Sequence, residues 1–337
     1  MFNFDVERFL NIQNGALSLK DEMNQAIDGI VDRGIENVFF VGTGGAAILM
    51  FAAEYILKNN STLPVYTEIS SELMHMDHKN LSEKSLVILP SLSGTTKETV
   101  EVASFCREKG ATTISLVGHA NTPLATMTDY TFVNFAEDDT SCESFYIQSY
   151  LIAFRLMYKR NELPEYHRIV EEMKQLPAAL LKVKEAIEDR AAAFASKHKE
   201  TPYHILSGTG VDWGQTYYYA MCILEEMQWI KTRPVHASDF FHGTLELVEE
   251  DTSIILLKGE DTSRTLTERV QRFAEHYSKE LTVFDTKDYE LEGISSELRR
   301  LVSPIVLATL LERVSCHLEK ERDHPLTTRR YYKKVPF

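Results

Sequence analysis

Val38-Phe39-Phe40-Val41 is an unbroken apolar run that gives way at once to Gly42-Thr43-Gly44-Gly45, and residues 46–57 then turn helical. A strand apolar on both faces must be covered on both. One that feeds a helix through a glycine turn belongs to a crossover, so this passage predicts a parallel sheet between layers of helix. The alternation continues: residues 65–69, 85–89, 112–117 and 130–135 read as further strands, with a helix over 96–109. The fold class predicted is α/β.

From about residue 163 to 199 the pattern becomes long, charged, alanine-rich helix, interrupted near Pro177. Strands then resume at 203–206, 253–258 and 281–284, and a helix over 302–319 closes the chain. Ser207-Gly208-Thr209-Gly210 follows the first strand of this half as Val41-Gly42-Thr43-Gly44 follows the first strand of the other. The offset, 208 − 42 = 166 residues, points to a duplicated domain. A chain of 337 residues also exceeds one ordinary core at roughly 150 residues per domain. The predicted organisation is an N-terminal domain over 1–158, a helical linker over 159–200 and a C-terminal domain over 201–337.

Charge narrows the partners. Thirty-six basic against fifty acidic side chains give −14, which argues against nucleic acid, since phosphate backbones are met by basic faces. The tail Arg329-Arg330-Tyr331-Tyr332-Lys333-Lys334 is too short to reverse that balance. The N-terminus MFNFDVERFL mixes acids with apolar residues and does not read as a signal peptide, and no stretch reads as a membrane helix of about 20 apolar residues. Four scattered cysteines without a Cys-x-x-Cys pair, and histidines without ligand spacing, predict free thiols, a cytoplasmic setting and no metal site.

Three stretches can carry chemistry. Ser91-Leu92-Ser93-Gly94-Thr95-Thr96-Lys97-Glu98-Thr99 sits where a buried strand passes into a helix. The unpaired N–H groups of a helix start receive anions, the hydroxyls of Ser91, Ser93 and Thr96 add donors, and Gly94 lets the backbone come close. Such a turn can hold a phosphate without Lys or Arg; the competing reading is that these hydroxyls only cap the helix. Thr43, Gly44 and Gly45 would line the same crevice, although the run lacks the third glycine and the acidic residue of a dinucleotide fingerprint. Glu226 lies late in an apolar helix over 217–229, and His242 follows 16 residues on. A carboxylate and an imidazole together can move protons near neutral pH. Glu225 and Glu226 point about 100° apart, so only one can face a crevice. The competing reading is a solvated Glu pair and a core histidine.

These stretches, with Ile223-Leu224-Glu225-Glu226-Met227-Gln228-Trp229-Ile230, Asp239-Phe240-Phe241-His242-Gly243 and the tail His324-Pro325-Leu326-Thr327-Thr328-Arg329-Arg330-Tyr331, resemble the SIS (sugar isomerase) phosphosugar-binding superfamily. Within it the likeness is greatest to the fructosamine-6-phosphate deglycases, and it covers nearly the whole chain. The resemblance implies two tandem SIS domains, each a three-layer αβα sandwich with a five-stranded parallel sheet. It implies a homodimer or higher homo-oligomer whose active sites form where subunits meet, with a sugar phosphate as the partner molecule, no membrane and no cofactor. By the same resemblance Ser91, Ser93 and Thr96 hold the phosphate, Glu226 is the catalytic acid/base, and His242, which can come from the neighbouring subunit, opens the sugar ring. Arg322 and Arg329 of the tail become candidate substrate contacts. The chain departs from the family pattern at Ala46, where relatives carry serine, and at Ser238-Asp239 and Thr244, where they carry Gly-Glu and proline.

The activity implied is cleavage of a 6-phosphorylated Amadori-type conjugate to a hexose 6-phosphate and an amino acid. Two other readings share the residues: an aldose–ketose or aminosugar-phosphate isomerase or deaminase, and a sugar-phosphate sensor without catalysis.

Overall fold

The computed structural model describes residues 1–136, 142–332, 334 and 335. The chain divides into two compact units: an N-terminal unit, Val6–Pro177, and a C-terminal unit, Ala178–Phe337 with Met1–Asp5.

The N-terminal unit opens with α1 (Val6–Ser18) and α2 (Lys20–Asp32) and then alternates: β1 (Asn37–Gly42), α3 (Gly44–Ile48), α4 (Phe51–Asn60), β2 (Val65–Ile69), α5 (Ser70–His75), β3 (Ser85–Ser91), α6 (Lys97–Glu108), β4 (Thr112–Val117), α7 (Pro123–Met127), β5 (Tyr130–Val133) and α8 (Glu143–Lys159), followed by α9 (Tyr166–Met173). Its five strands are all parallel in the order β2-β1-β3-β4-β5. Period-2 alternation sends Phe39, Val41, Val87 and Leu89 to one face, where they pack with Leu73 of α5 and Val102, Ala103 and Cys106 of α6. Each such buried Val, Leu or Phe stabilises the fold by about 1.5–3 kcal/mol. Helix α8 packs against α1, α2 and α4 and is buried almost throughout. The helix expected over 46–57 is two pieces, α3 and α4, meeting at Leu49 and Met50.

Pro90 stands inside a central strand, where a missing N–H ordinarily breaks a ladder. Here β1 and β3 pair only as far as Ile88, so Pro90 lies beyond that ladder and faces Leu116 of β4 alone on its other side.

The C-terminal unit begins within α10 (Leu176–His198), whose Pro177 sits in the first turn, where its absent donor costs nothing. It continues through β6 (Tyr203–Gly208), α11 (Trp213–Tyr218), β7 (Lys231–His236), β8 (Ser253–Lys258), α12 (Arg264–Tyr277), β9 (Leu281–Asp285) and α13 (Ser296–Glu321). Four parallel strands run in the order β7-β6-β8-β9. Five were expected; among the described residues this sheet has no counterpart of β5, because after β9 the chain passes through a short turn and enters α13. Ile205, Ile254 and Leu256 pack with Val270 and Ala274 of α12 and with Phe240.

Among the described residues α13 is the one helix long and apolar enough to cross a membrane, but 89% of its apolar window is buried inside the protein, so it is a core helix. Beside it a buried charge cluster fixes the N-terminus. Arg313 is fully buried; its Nε donates to Glu188 Oε2 at 2.8 Å and its Nη2 to the carbonyl of Phe2, while Phe2 N donates to Glu188 Oε1 at 2.6 Å.

Candidate active site

In the N-terminal unit the ends of β1 and β3 lie side by side, and each is followed by a turn built for close approach. After β3 the chain folds sharply at Gly94, whose φ of +59° favours glycine. Gly94 N donates back to the Ser91 carbonyl at 3.1 Å. A Cβ on Gly94 would come within 2.1 Å of Thr122 Oγ1, so the β4–α7 connection presses directly on this turn. The same connection fixes it by two backbone hydrogen bonds, Gly118 N to Leu92 O at 2.9 Å and Leu124 N to Gly94 O at 3.1 Å.

The hydroxyls of Ser91 and Thr96 lie 3.3 Å apart, and Thr95 N and Oγ1 both donate to Ser93 Oγ. Thr96 holds the N-cap position of α6, yet its side chain makes no cap hydrogen bond. The turn thus brings Ser91, Ser93 and Thr96 together at a helix start whose first N–H groups are free for an anion. Beside it, Gly44 has φ +60°, and among the described residues nothing lies within 4 Å of where its Cβ would be. Thr43 Oγ1 is buried with no hydrogen-bond partner among the described residues. Ala46 is half-buried next to them.

The C-terminal unit repeats the first turn in backbone but not in chemistry. Gly210 has φ +59° where Gly44 has +60°, and Thr209 is extended like Thr43. The turn after β8, in the place of Ser91–Thr96, instead carries Glu260 and Asp261. Asp261 Oδ2 accepts from Val211 N at 3.0 Å, and its Oδ1 accepts from the N–H and hydroxyl of Ser263. A carboxylate of the protein thus takes the donors an outside anion would need. Asp212, buried alongside, has its pKa pushed well above the ordinary carboxylate value by burial and by the nearby Asp261 charge.

The same unit holds Glu226. The helix expected over 217–229 is α only through α11. Residues 219–225 widen into a π-helix, and Glu226 N donates to the carbonyl of Met221, five residues back, at 3.1 Å. Such insertions are rare and gather at functional sites. The neighbouring carboxylates diverge. Exposed Glu225 accepts from Thr232 Oγ1 at 2.5 Å, and half-buried Glu226 meets Arg329 Nε at 2.8 Å.

The tail is bound to this ledge at several points. Gln228 Nε2 donates to His324 O at 2.8 Å, and Arg329 Nη1 donates to Leu326 O at 2.6 Å and Thr328 O at 3.1 Å. Arg322 donates to the backbone carbonyls of Lys199 and Gln228, so both its terminal nitrogens are engaged within the protein. Trp229, held at φ +57°, is flanked by His324, ring centroids 4.4 Å apart, and by the Arg330 guanidinium, 4.1 Å from its ring. Residue spacing gave no sign of this flanked tryptophan; the Trp229 and Arg330 types were visible, their meeting was not. His242 ends a short 3₁₀ turn, Phe240–His242, and is exposed. Among the described residues its ring makes no hydrogen bond, and it is not a member of Glu226's ion pair with Arg329. No group of three or more His, Cys, Asp or Glu side chains among the described residues could hold a metal ion.

Comparison with known proteins gives a consistent picture. The SIS domain model matches residues 33–176. Fructosamine deglycase FrlB of Bacillus subtilis is 33% identical over 94% of this chain and 97% of its own length. Fructoselysine 6-phosphate deglycase of Escherichia coli is 25% identical over 91% of this chain and 88% of its own. A crystal structure described as a phosphosugar isomerase from Bacillus subtilis superposes with a TM-score of 0.87 at 31% identity, covering 98% of this chain and 99% of that one.

Proposed function

The chain belongs to the SIS-domain family, among enzymes of the phosphosugar isomerase and deglycase kind, and from that premise we propose that it cleaves a 6-phosphorylated sugar–amino acid conjugate to a hexose 6-phosphate and a free amino acid. The observation that carries this reading is the ion pair between Glu226 and Arg329, which ties the acid/base candidate to the C-terminal tail, the stretch whose residues resemble those of deglycases.

In this reading Ser91, Ser93, Thr96 and the start of α6 hold the phosphate, with Thr43, Gly44 and Gly45 beside it. His242, contributed within a homodimer or larger assembly, moves the C2 hydroxyl proton to the ring oxygen, which opens the ring and leaves a ketone at C2. Glu226 takes a proton from C1 while the C2 oxygen gains one, giving the enaminol. Return of a proton to C2 and loss of the N–H proton produce the imine between C1 and nitrogen. Water adds at C1, the C–N bond breaks, and the aldose 6-phosphate and the amine leave. Enolisation beside a carbonyl requires a placed base, and such groups supply about 10²–10⁴-fold. Anchoring the phosphate restrains the substrate and lowers the entropic cost of bringing it to a base. We place the enzyme in the cytoplasm, in keeping with its free, buried thiols.

The test is release of glucose 6-phosphate, followed with a coupled dehydrogenase, from a panel of 6-phosphorylated amino acid conjugates, with Glu226→Gln as control. Turnover that disappears in the variant supports the deglycase. Inactivity on the panel with consumption of fructose 6-phosphate or glucosamine 6-phosphate would make it an isomerase or deaminase. Binding alone would make it a sensor.

A further inference from the structure

Arg329 and Arg330 are chain neighbours with opposite employment. Arg329 spends its Nε on Glu226 and its Nη1 on two backbone carbonyls. Arg330 is exposed, and among the described residues its five N–H donors enter no hydrogen bond or ion pair. Its guanidinium is nevertheless placed, lying 4.1 Å from the ring of Trp229. Stacking of this kind fixes a cation while leaving its in-plane donors pointing outward.

The platform is itself constrained. Trp229 keeps a left-handed φ of +57°, a conformation costly for a bulky residue, and its N–H is held by the Glu225 carbonyl at 3.1 Å. The His324 ring braces it edge-on at 4.4 Å. A tryptophan strained and braced in order to carry an arginine with unused donors describes a receptor for a planar anion, since a guanidinium fork matches a carboxylate in two hydrogen bonds.

Its place indicates which anion. Glu226 and Trp229 are three residues apart on one ledge, and the adjacent Arg329 and Arg330 touch one each. Under the reaction proposed above, on which this inference rests, Glu226 works at C1, the carbon bonded to the amino acid's nitrogen. The carboxylate of the leaving amino acid is therefore the anion carried closest to this ledge. The phosphate, at the far end of the sugar, has its own donors in the turn after β3.

We propose that Arg330, stacked on Trp229, binds the carboxylate of the amino acid half of the substrate and sets the preference for amino acid over simple amine conjugates. Arg330 is a binding residue; it moves no proton.

The experiment compares kcat/KM for 6-phosphorylated conjugates of one amino acid and of its carboxamide, in the wild type and in Arg330→Gln. The wild type should prefer the carboxylate by about 10- to 100-fold, the range for a hydrogen-bonded charge pair, mainly through KM. Arg330→Gln should bring that ratio close to one, and Trp229→Leu should narrow it by loosening the arginine. A wild type indifferent to the carboxylate overturns the proposal. So does an Arg330→Gln enzyme that loses both activities alike and keeps the ratio, because that is the mark of a tail merely disordered. Failure of the wild type on every conjugate would instead overturn the deglycase reading, and this inference with it.

Discussion

Arg329 Nε lies 2.8 Å from Glu226 Oε1, while the same guanidinium is anchored by the carbonyls of Leu326 and Thr328. The tail thus holds the carboxylate in place through a cation that cannot swing freely. Glu226→Gln should lower kcat/KM by about 10²–10⁴-fold. Arg329→Met should lower it by about 10-fold or more through misplacement of the carboxylate. The double variant should be little worse than Glu226→Gln alone, since the two act as a unit. Full additivity in the coupled glucose 6-phosphate assay would show that the pair is not coupled.

Gly94 is the hinge of the hydroxyl turn. An alanine there faces both a positive φ and a 2.1 Å overlap with Thr122 Oγ1. Gly94→Ala should therefore weaken sugar-phosphate binding more than Ser91→Ala, which removes one donor and should raise the dissociation constant by about 10-fold. Calorimetric titration with a hexose 6-phosphate ranks the two, and equal losses would contradict the role given to Gly94.

Asp212 predicts a loss of stability toward higher pH. Burial, with the charges of Asp261 and Glu260 nearby, raises its folded-state pKa well above the ordinary 3.8. Its contribution is fully present below the unfolded value and is lost as pH rises through the raised folded value. Asp212→Asn cannot ionise, so its melting temperature should fall less than the wild type's between pH 4 and pH 8. A parallel decline in both proteins would remove Asp212 as the cause.

His204 works in the opposite direction. Burial, with His198 and Arg322 close by, lowers its pKa from 6.5 to about 3, and its Nδ1 lies 2.8 Å from Ser253 Oγ. The stability it contributes is present above pH 6.5 and is lost as pH falls toward 3. His204→Asn should show a shallower fall in urea midpoint across that window. An unchanged slope would place the acid sensitivity elsewhere.

Glu188 joins Arg313 to the backbone of Phe2. Glu188→Ala leaves a buried guanidinium short of a partner and should cost about 3–5 kcal/mol in chemical denaturation. It should also expose the first five residues to limited proteolysis. A change below about 1 kcal/mol would mean the cluster adds little.

The sequence shows some of this architecture plainly and hides the rest for physical reasons. Buried strands such as β1 and β8 announce themselves as apolar runs, and the hydroxyl-rich turn after β3 stands out because a cap needs only one such residue. Strand β7, Lys-Thr-Arg-Pro-Val-His, escapes notice because it is an edge strand: one side needs no ladder, so it tolerates charge and Pro234. Nothing in the residues 219–225 marks a π-helix, since apolar periodicities of 3.6 and 4.4 are indistinguishable over seven positions. The Asp261 carboxylate that fills the second turn is equally hidden, because the Val211 N–H, 50 residues away in the chain, meets it only through backbone geometry.

The π-helix makes the orientation of Glu226 a matter of counting. It accommodates one residue more than an α-helix would between the same ends, and Glu226 is the first residue after it. Deleting a single residue from 219–225 shifts the register unless the ladder relaxes to α spacing, and each residue of register turns a helix by about 100°. The carboxylate would then face away from Arg329. Under the proposed role of Glu226, insertion or loss of one codon in this stretch moves the carboxylate while keeping the fold, and chain length there is as telling as residue identity when relatives of this fold are compared.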